Sequence, residues 1–137
     1  MRQGAVMHTG SCLCGAVRYT VRGDIGATVY CHCGRCRKAG GSAFATNAAV
    51  AADAFELVEG ADAVTTFSTA EGVHRVFCSR CGSPLISRRD SQPELVRLRV
   101  GTLDTPLPGR PGAHIFVASK AAWFDIRDDL PQYPERP

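Results

Sequence analysis

Three cysteines fall within six residues, in Cys31-His32-Cys33-Gly34-Arg35-Cys36, and four more flank them as Cys12, Cys14, Cys78 and Cys81. Thiolate sulfur is a natural ligand of zinc, which takes four ligands tetrahedrally at structural sites and keeps a position open at catalytic ones. Residues two apart on an extended segment face the same way, so Cys12 with Cys14, and Cys31 with Cys33, can each share one ion. Cys33-Gly-Arg-Cys36 and Cys78-Ser-Arg-Cys81 carry the two-residue gap that lets a tight turn aim two sulfurs at one centre. Gly34 inside the first turn and Gly82 after the second are expected to supply the left-handed conformations such turns use.

Seven sulfurs divide as four plus three. One division joins Cys12, Cys14, Cys78 and Cys81 and leaves Cys31, Cys33 and Cys36 with one vacancy. The other joins Cys33, Cys36, Cys78 and Cys81 as a ribbon and leaves Cys12, Cys14 and Cys31. Spacing leaves both open. Two arguments favour the first. Three ligands within six residues form a local set whose fourth position can exchange. A permanent four-sulfur staple is most useful between residues 12 and 81, where it closes a loop of about 70 residues in the unfolded chain.

A three-thiolate zinc carries a net charge of −1, so it is a weak Lewis acid, ill suited to the water activation that neutral ligands allow. Taking a fourth, external thiolate suits it, because zinc is borderline-soft and a coordinated thiol loses its proton. Reversible thiol addition or carbon–sulfur cleavage therefore fits better than amide or ester hydrolysis. The competing reading makes all the zinc structural, with water, His32 or a neighbouring chain in the vacancy. His32 alternates with Cys31 and Cys33 and faces away from them. His8, His74 and His114 stand alone; His74 is expected to be exposed and His114 to sit at a strand edge. Asp104, Glu71 and His114 are equally compatible as proton carriers.

The background composition is that of one ordinary globular domain, with 45% of residues apolar and 21% charged, rich in turns from 14 glycines and 8 prolines. No apolar run approaches the ~18–20 residues of a membrane span, and residues 1–10 lack the apolar core of a leader. The chain is therefore expected in the cytosol, without membrane contact, where disulfides are rare. An odd cysteine count also excludes complete pairing. The formal charge of +3 changes by −7 from the thiolates and +4 from two zinc ions, to about zero. That removes any charge argument for a nucleic-acid partner. Arg88-Arg89 and Arg97/Arg99 are the densest basic spots; Arg97 and Arg99, co-facial by alternation, are expected on a solvated face.

The elements that must position the cysteines are short. Val17, Tyr19 and Val21 alternate against Arg18, Thr20 and Arg22 within a strand at 13–22. Strands are expected at 27–31, 42–50, 55–59, 63–68, 73–77, 84–88, 94–101 and 113–118. Turns are expected at 51–54 and Glu71-Gly72, and a Pro/Gly loop at 102–112. Residues 35–40 read as a turn or at most one helical turn, and 120–128 as a short helix or an extended cover. Residues 8–130 form the core of a single 1–137 domain, with 131–137 a proline-bounded tail. No strand–helix alternation supports the βαβ context that a redox Cys-x-x-Cys needs. Many strands with turn signals point to a mainly β, antiparallel architecture with little helix.

Several segments together resemble the glutathione-dependent formaldehyde-activating (GFA) family, to which centromere protein V is related. They are Gly10-Ser-Cys-Leu-Cys-Gly-Ala-Val-Arg-Tyr19, Cys31-His-Cys-Gly-Arg-Cys-Arg-Lys-Ala-Gly-Gly-Ser42, Phe77-Cys-Ser-Arg-Cys-Gly-Ser-Pro-Leu85 and Val100-Gly-Thr-Leu-Asp104, continued by His114-Ile-Phe-Val117, Lys120-Ala-Ala-Trp123 and Leu130-Pro131. The resemblance implies a zinc-stabilised β-tent of several curled sheets. It implies one structural zinc on Cys12, Cys14, Cys78 and Cys81, and a second zinc on Cys31, Cys33 and Cys36, which then carry the catalytic role. It implies a carbon–sulfur lyase that handles glutathione and an aldehyde, formaldehyde in the family's name, through S-(hydroxymethyl)glutathione. Arg35, Arg37 and Lys38 flank the three-cysteine set and are candidates for neutralising glutathione's carboxylates. The alternative function is a non-catalytic, zinc-stabilised binding module.

Overall fold

The computed structural model describes residues 6–137. The reading of residues 1–10 as lacking a leader core falls partly outside that range. Ten strands are joined by one short helix: β1 Met7–Ser11, β2 Arg18–Arg22, β3 Thr28–Cys31, α1 Gly34–Gly40, β4 Ala45–Ala51, β5 Phe55–Glu59, β6 Val64–Ser68, β7 Val73–Cys78, β8 Pro84–Arg89, β9 Leu95–Arg99 and β10 Ala113–Ile115. They form a three-stranded sheet in the order β1-β2-β5 and a seven-stranded sheet in the order β10-β3-β4-β9-β8-β7-β6. The mainly β expectation holds. One strand pairing is parallel, Ala113 against Val29 through Ile115 against Cys31, as is the isolated bridge of His114 with Gln132; the other strand pairings are antiparallel.

The alternation read in β2 decides how the sheets pack. Val17, Tyr19 and Val21 are fully buried and meet Val50, Leu85, Ile86, Val96 and Leu98 of the larger sheet. Each such side chain contributes roughly 1.5–3 kcal/mol by leaving water. Tyr19 lies flat over Gly10, where a Cβ would come within 2.1 Å of the ring. Its hydroxyl pairs with Thr102 Oγ1 at 2.7 Å. The glycine that opens the Gly10-Ser-Cys motif is therefore required by packing, one turn before the first sulfur.

Three local expectations need correction: the single turn at 34–40, the left-handed Gly34 and the exposed His74. Residues 34–40 form an α-helix of 7 residues, not a single turn, with Cys33 as its N-cap and Gly41 closing it at φ 63°. Gly34 begins that helix and is not a left-handed turn residue. His74 is not exposed: its side chain is 18% accessible and lies between Ser68 Oγ (2.7 Å) and Asp90 Oδ1 (2.8 Å). Residues 131–137 are stitched to β10. His114 N donates to Pro131 O and Tyr133 N to His114 O, both at 2.9 Å, and Phe116 N to Glu135 O at 3.0 Å. Residues 120–128 are an extended cover without a helix. No helix among the described residues is long and apolar enough to cross a membrane.

Candidate functional site

The seven sulfurs gather into two groups, Cys12, Cys14, Cys78 and Cys81 in one, Cys31, Cys33 and Cys36 in the other, each with its sulfurs within 4.8 Å of one another. All seven are free thiols. Cys12 Sγ lies 3.6 Å from Cys14 Sγ, and Cys14 Sγ lies 3.8 Å from Cys78 Sγ. A disulfide would need about 2.05 Å. A tetrahedron with zinc–sulfur bonds of about 2.3 Å has sulfur–sulfur edges of about 3.8 Å. Both donor set and spacing fit an ion of that size.

The four-sulfur group is built from two turns. After β1, Gly15 N donates to Cys12 O (3.1 Å) and Val17 N to Cys12 Sγ (3.2 Å). After β7, Gly82 (φ 80°) donates its N–H to Cys78 O at 2.8 Å. Ser83 links the turns, its hydroxyl accepting from Leu13 N (2.9 Å) and lying 3.3 Å from Cys81 Sγ. The Ser83 hydroxyl, with backbone N–H groups of Ser83 and Cys14, pulls the Cys81 thiol down to about 5.

The three-sulfur group sits where β3 passes into α1. Cys31 closes β3, and Cys33 Sγ accepts from Cys36 N at 3.2 Å. Ile115 joins Cys31 and Cys36 in a buried cluster collared by Val29, Ala45, Phe116 and Tyr133. Hydrogen bonds from the Cys31 and Cys36 thiols pull Cys33 down to about 2. The thiols of Cys33 and Cys36 push Cys31 strongly upward. Three crowded thiols thus hold one ready thiolate and resist the next, a repulsion that a bound cation relieves.

The arginines around this group were not read correctly from the sequence. Arg97 and Arg99 do share a face, but not a solvated one. Arg99 is 9% exposed and Arg97 is half-buried, because α1 and the C-terminal residues cover that side of the sheet. Asn47 pairs with Arg99 and Ala49 with Arg97 between β4 and β9. Ser87 continues the row on β8, and Arg75 on β7. The result is a cavity of about 470 Å³ containing all three cysteines and lined by Arg35, Arg75, Arg89, Arg97 and Arg136. No Asp or Glu side chain lines it. Arg75 Nη1, Arg97 Nη1 and Asn47 Oδ1 are buried with no hydrogen-bond partner. Burial lowers the pKa of Arg89, Arg97 and Arg99, opposed by the cysteine sulfurs as thiolates. Of the residues flagged beside the cluster, Arg35 lines this cavity, Lys38 lines only a neighbouring one, and Arg37 lines neither.

His32 faces away from the sulfurs, as alternation requires, and is fully buried. Its Nε2 lies 2.8 Å from His114 Nδ1, and His114 Nε2 lies 3.0 Å from Asp128 Oδ2. His114 is therefore a buried structural partner on an edge strand. Of the other proton-carrier candidates, Asp104 accepts from Ser11 Oγ at 2.8 Å and Glu71 meets Arg35 at 3.8 Å on the surface. None of the three lines the cysteine cavity.

Residues 7–119 match the sequence profile described as glutathione-dependent formaldehyde-activating enzyme. A Halomonas elongata protein, provisionally named as such an enzyme, is 36% identical over 129 residues, covering 85% of this chain and 79% of the relative. Relatives from Aspergillus flavus and Aspergillus oryzae, provisionally named alike, are 25% identical over 82% of this chain; the chain spans 53% of their length. A crystal structure of a Rhodobacter sphaeroides protein aligns with a TM-score of 0.62 at 28% identity, over 73% of this chain and 91% of that one. The chain belongs to the glutathione-dependent formaldehyde-activating (GFA) enzyme family.

Proposed function

We propose that this chain is a zinc-dependent carbon–sulfur lyase-type enzyme that takes glutathione, or a thiol of like charge, and forms or cleaves its hydroxymethyl adduct with formaldehyde. The carrying observation is the union of three cysteines, five arginines and no side-chain carboxylate in one cavity. Glutathione presents one thiol and two carboxylates, and orphaned guanidinium N–H groups on Arg75 and Arg97 have the charge and fork geometry that carboxylates take.

Cys31, Cys33 and Cys36 would hold a zinc ion that supplies a soft seat for the external thiolate, and Cys12, Cys14, Cys78 and Cys81 would hold a structural one. The arginines fix the thiol's two ends and keep its sulfur beside the cysteines. Ile115, Phe116 and Tyr133 keep bulk water from that side. In the forward reaction the thiol sulfur bonds to the carbonyl carbon, the C=O electron pair moves to oxygen, and oxygen takes the proton the thiol gave up. The reverse step breaks the same carbon–sulfur bond. Both cysteine groups must stay reduced, which fits a reducing compartment such as the cytosol.

Native mass spectrometry of the protein with glutathione, with and without formaldehyde, tests this. Two zinc ions, one bound glutathione and, with formaldehyde, the further mass of one CH2O unit are expected. Cys33→Ala should keep one zinc and the fold and lose glutathione binding. Unchanged turnover in Cys33→Ala would show that the three-cysteine group is not the active centre.

A further inference from the structure

A second cavity, of about 720 Å³, adjoins the first and shares Arg35, Cys36 and Arg75 with it. Its character is different. Phe44, Phe67, Phe77, Val76, Pro84 and Ile86 form the apolar part of its walls, and Lys38 and Arg99 line it besides the two shared arginines. It contains one cysteine of the three, and it opens from α1 toward β7 and β8. The arginine-lined cavity already offers room and charge for the thiol. Formaldehyde has two heavy atoms, and a water molecule's share of liquid volume is about 30 Å³. The apolar cavity is roughly ten times larger than so small an aldehyde needs. Phe67 remains 61% exposed, a large aromatic surface on the edge strand β6 that lines the same cavity as Cys36.

We propose that this enzyme also takes, beyond formaldehyde, a bulky, apolar aldehyde, aromatic or medium-chain, whose substituent lies in the Phe44–Phe67–Phe77 cavity while its carbonyl carbon reaches the thiol beside Cys36. This rests on the thiol reading above and extends its range of carbon partners. The step is the same addition: the thiol sulfur bonds to the carbonyl carbon, the C=O pair moves to oxygen, and the thiol's proton ends on that oxygen. The product is a hemithioacetal with one polar, charged arm in the arginine cavity and one apolar arm in the other. No redox partner is involved.

Inert thioethers separate the two cavities, since neither contains an aldehyde or a free thiol. Calorimetry on the zinc-loaded protein would compare S-methylglutathione with S-benzylglutathione. Burial of the phenyl group is expected to make the benzyl compound bind at least about tenfold more tightly. Phe67→Ala, at an exposed position that the fold tolerates, should erase most of that preference and leave S-methylglutathione affinity unmoved. Ser42→Trp, which fills the cavity from an exposed position, should do the same. Equal affinity for the two compounds, with glutathione itself binding, overturns the bulky-aldehyde inference alone. Failure of glutathione and both thioethers to bind overturns the thiol reading and this inference with it. A dimer by light scattering that Phe67→Ala dissociates, with both thioether affinities unchanged, assigns the apolar face to a second copy and also overturns it.

Discussion

His114 Nε2 and Asp128 Oδ2 stand 3.0 Å apart across the extended cover of residues 120–128, and the other nitrogen of His114 reaches His32 at 2.8 Å. The carboxylate accepts a hydrogen bond from His114 Nε2–H, so in the neutral ring His114 Nδ1 is the acceptor for His32 Nε2–H. The chain of bonds fixes the residue between Cys31 and Cys33 from behind. Phe44 and Phe124 pack around His32 at ring separations of 5.2 Å and 6.0 Å.

His114→Ala removes the middle of that chain and strands two polar groups, one of them fully buried. A loss of about 2–4 kcal/mol is expected from the cavity and the unsatisfied His32 nitrogen. Urea unfolding of the zinc-loaded protein measures it. An unchanged midpoint would mean that the pair contributes no net stability.

The Asp128 carboxyl is held below its ordinary range, first by the hydrogen bond from His114. A carboxyl whose folded pKa is depressed adds stability above the unfolded value and loses it as pH falls through the folded value. Wild type should therefore lose stability relative to Asp128→Asn as pH drops through and below the usual carboxylate range. The two melting curves should run parallel near neutrality. Taking the difference between them cancels the acid sensitivity of the thiolates, which both proteins share. A difference that stays flat down to the acid limit would rule out the linkage.

Much of this was legible from period and spacing. Val17, Tyr19 and Val21 declared a buried face, and the count of seven cysteines implied two groups, one of them short by a ligand, while their spacing left open which cysteines belonged to which. What alternation does not carry is the identity of the cover. Arg97 and Arg99 are co-facial in sequence and in space. Only the placement of α1 and residues 131–137, far away in the chain, turns that face inward. The same limit hid the contributions of Arg75, Arg89 and Arg136. The helix at Gly34–Gly40 was missed because it is short, has glycine at both ends, and is capped by a cysteine instead of Ser, Thr, Asp or Asn. The His32–His114 contact spans 82 residues and depends on the one parallel strand pair, for which no local signal exists.

The two cysteine groups should respond differently to substitution. Cys78→Ala removes a fully buried thiol from the four-sulfur group between β1 and β7, and the structural zinc proposed for that group would be worth about 10–16 kcal/mol by the measure of small domains. That is comparable to the whole of an ordinary domain's stability of about 5–15 kcal/mol, so loss of the folded state is expected. Cys33→Ala lies on a half-exposed ligand beside a cavity and should reduce the zinc count by one with far-ultraviolet dichroism unchanged. Equal loss of structure in both would refute the division into a staple and an open centre.

Chelation should proceed in two stages for the same reason. A chelator titration is expected to remove one zinc equivalent with the fold intact and glutathione binding abolished. The second equivalent should leave only as the protein unfolds. Zinc released in a single step, coincident with unfolding, would place both ions in structural roles.

Arg97 offers the sharpest separation of stability from function. Its Nη2 donates to Gln92 Oε1 at 2.8 Å, its Nη1 is buried without a partner, and no carboxylate pairs with it among the described residues. A buried, incompletely paired charge costs stability, and an apolar residue of similar volume relieves that cost. Arg97→Met should therefore raise stability by about 1 kcal/mol, or roughly 3–5 °C in Tm. The same change should weaken glutathione binding by about 10–100-fold, the worth of a charge-assisted hydrogen bond to a carboxylate. Cysteamine, a thiol without carboxylates, should lose little. Calorimetry and thermal unfolding read the two effects independently. A variant that binds both thiols as wild type does would show that the arginine row serves the fold and not the ligand.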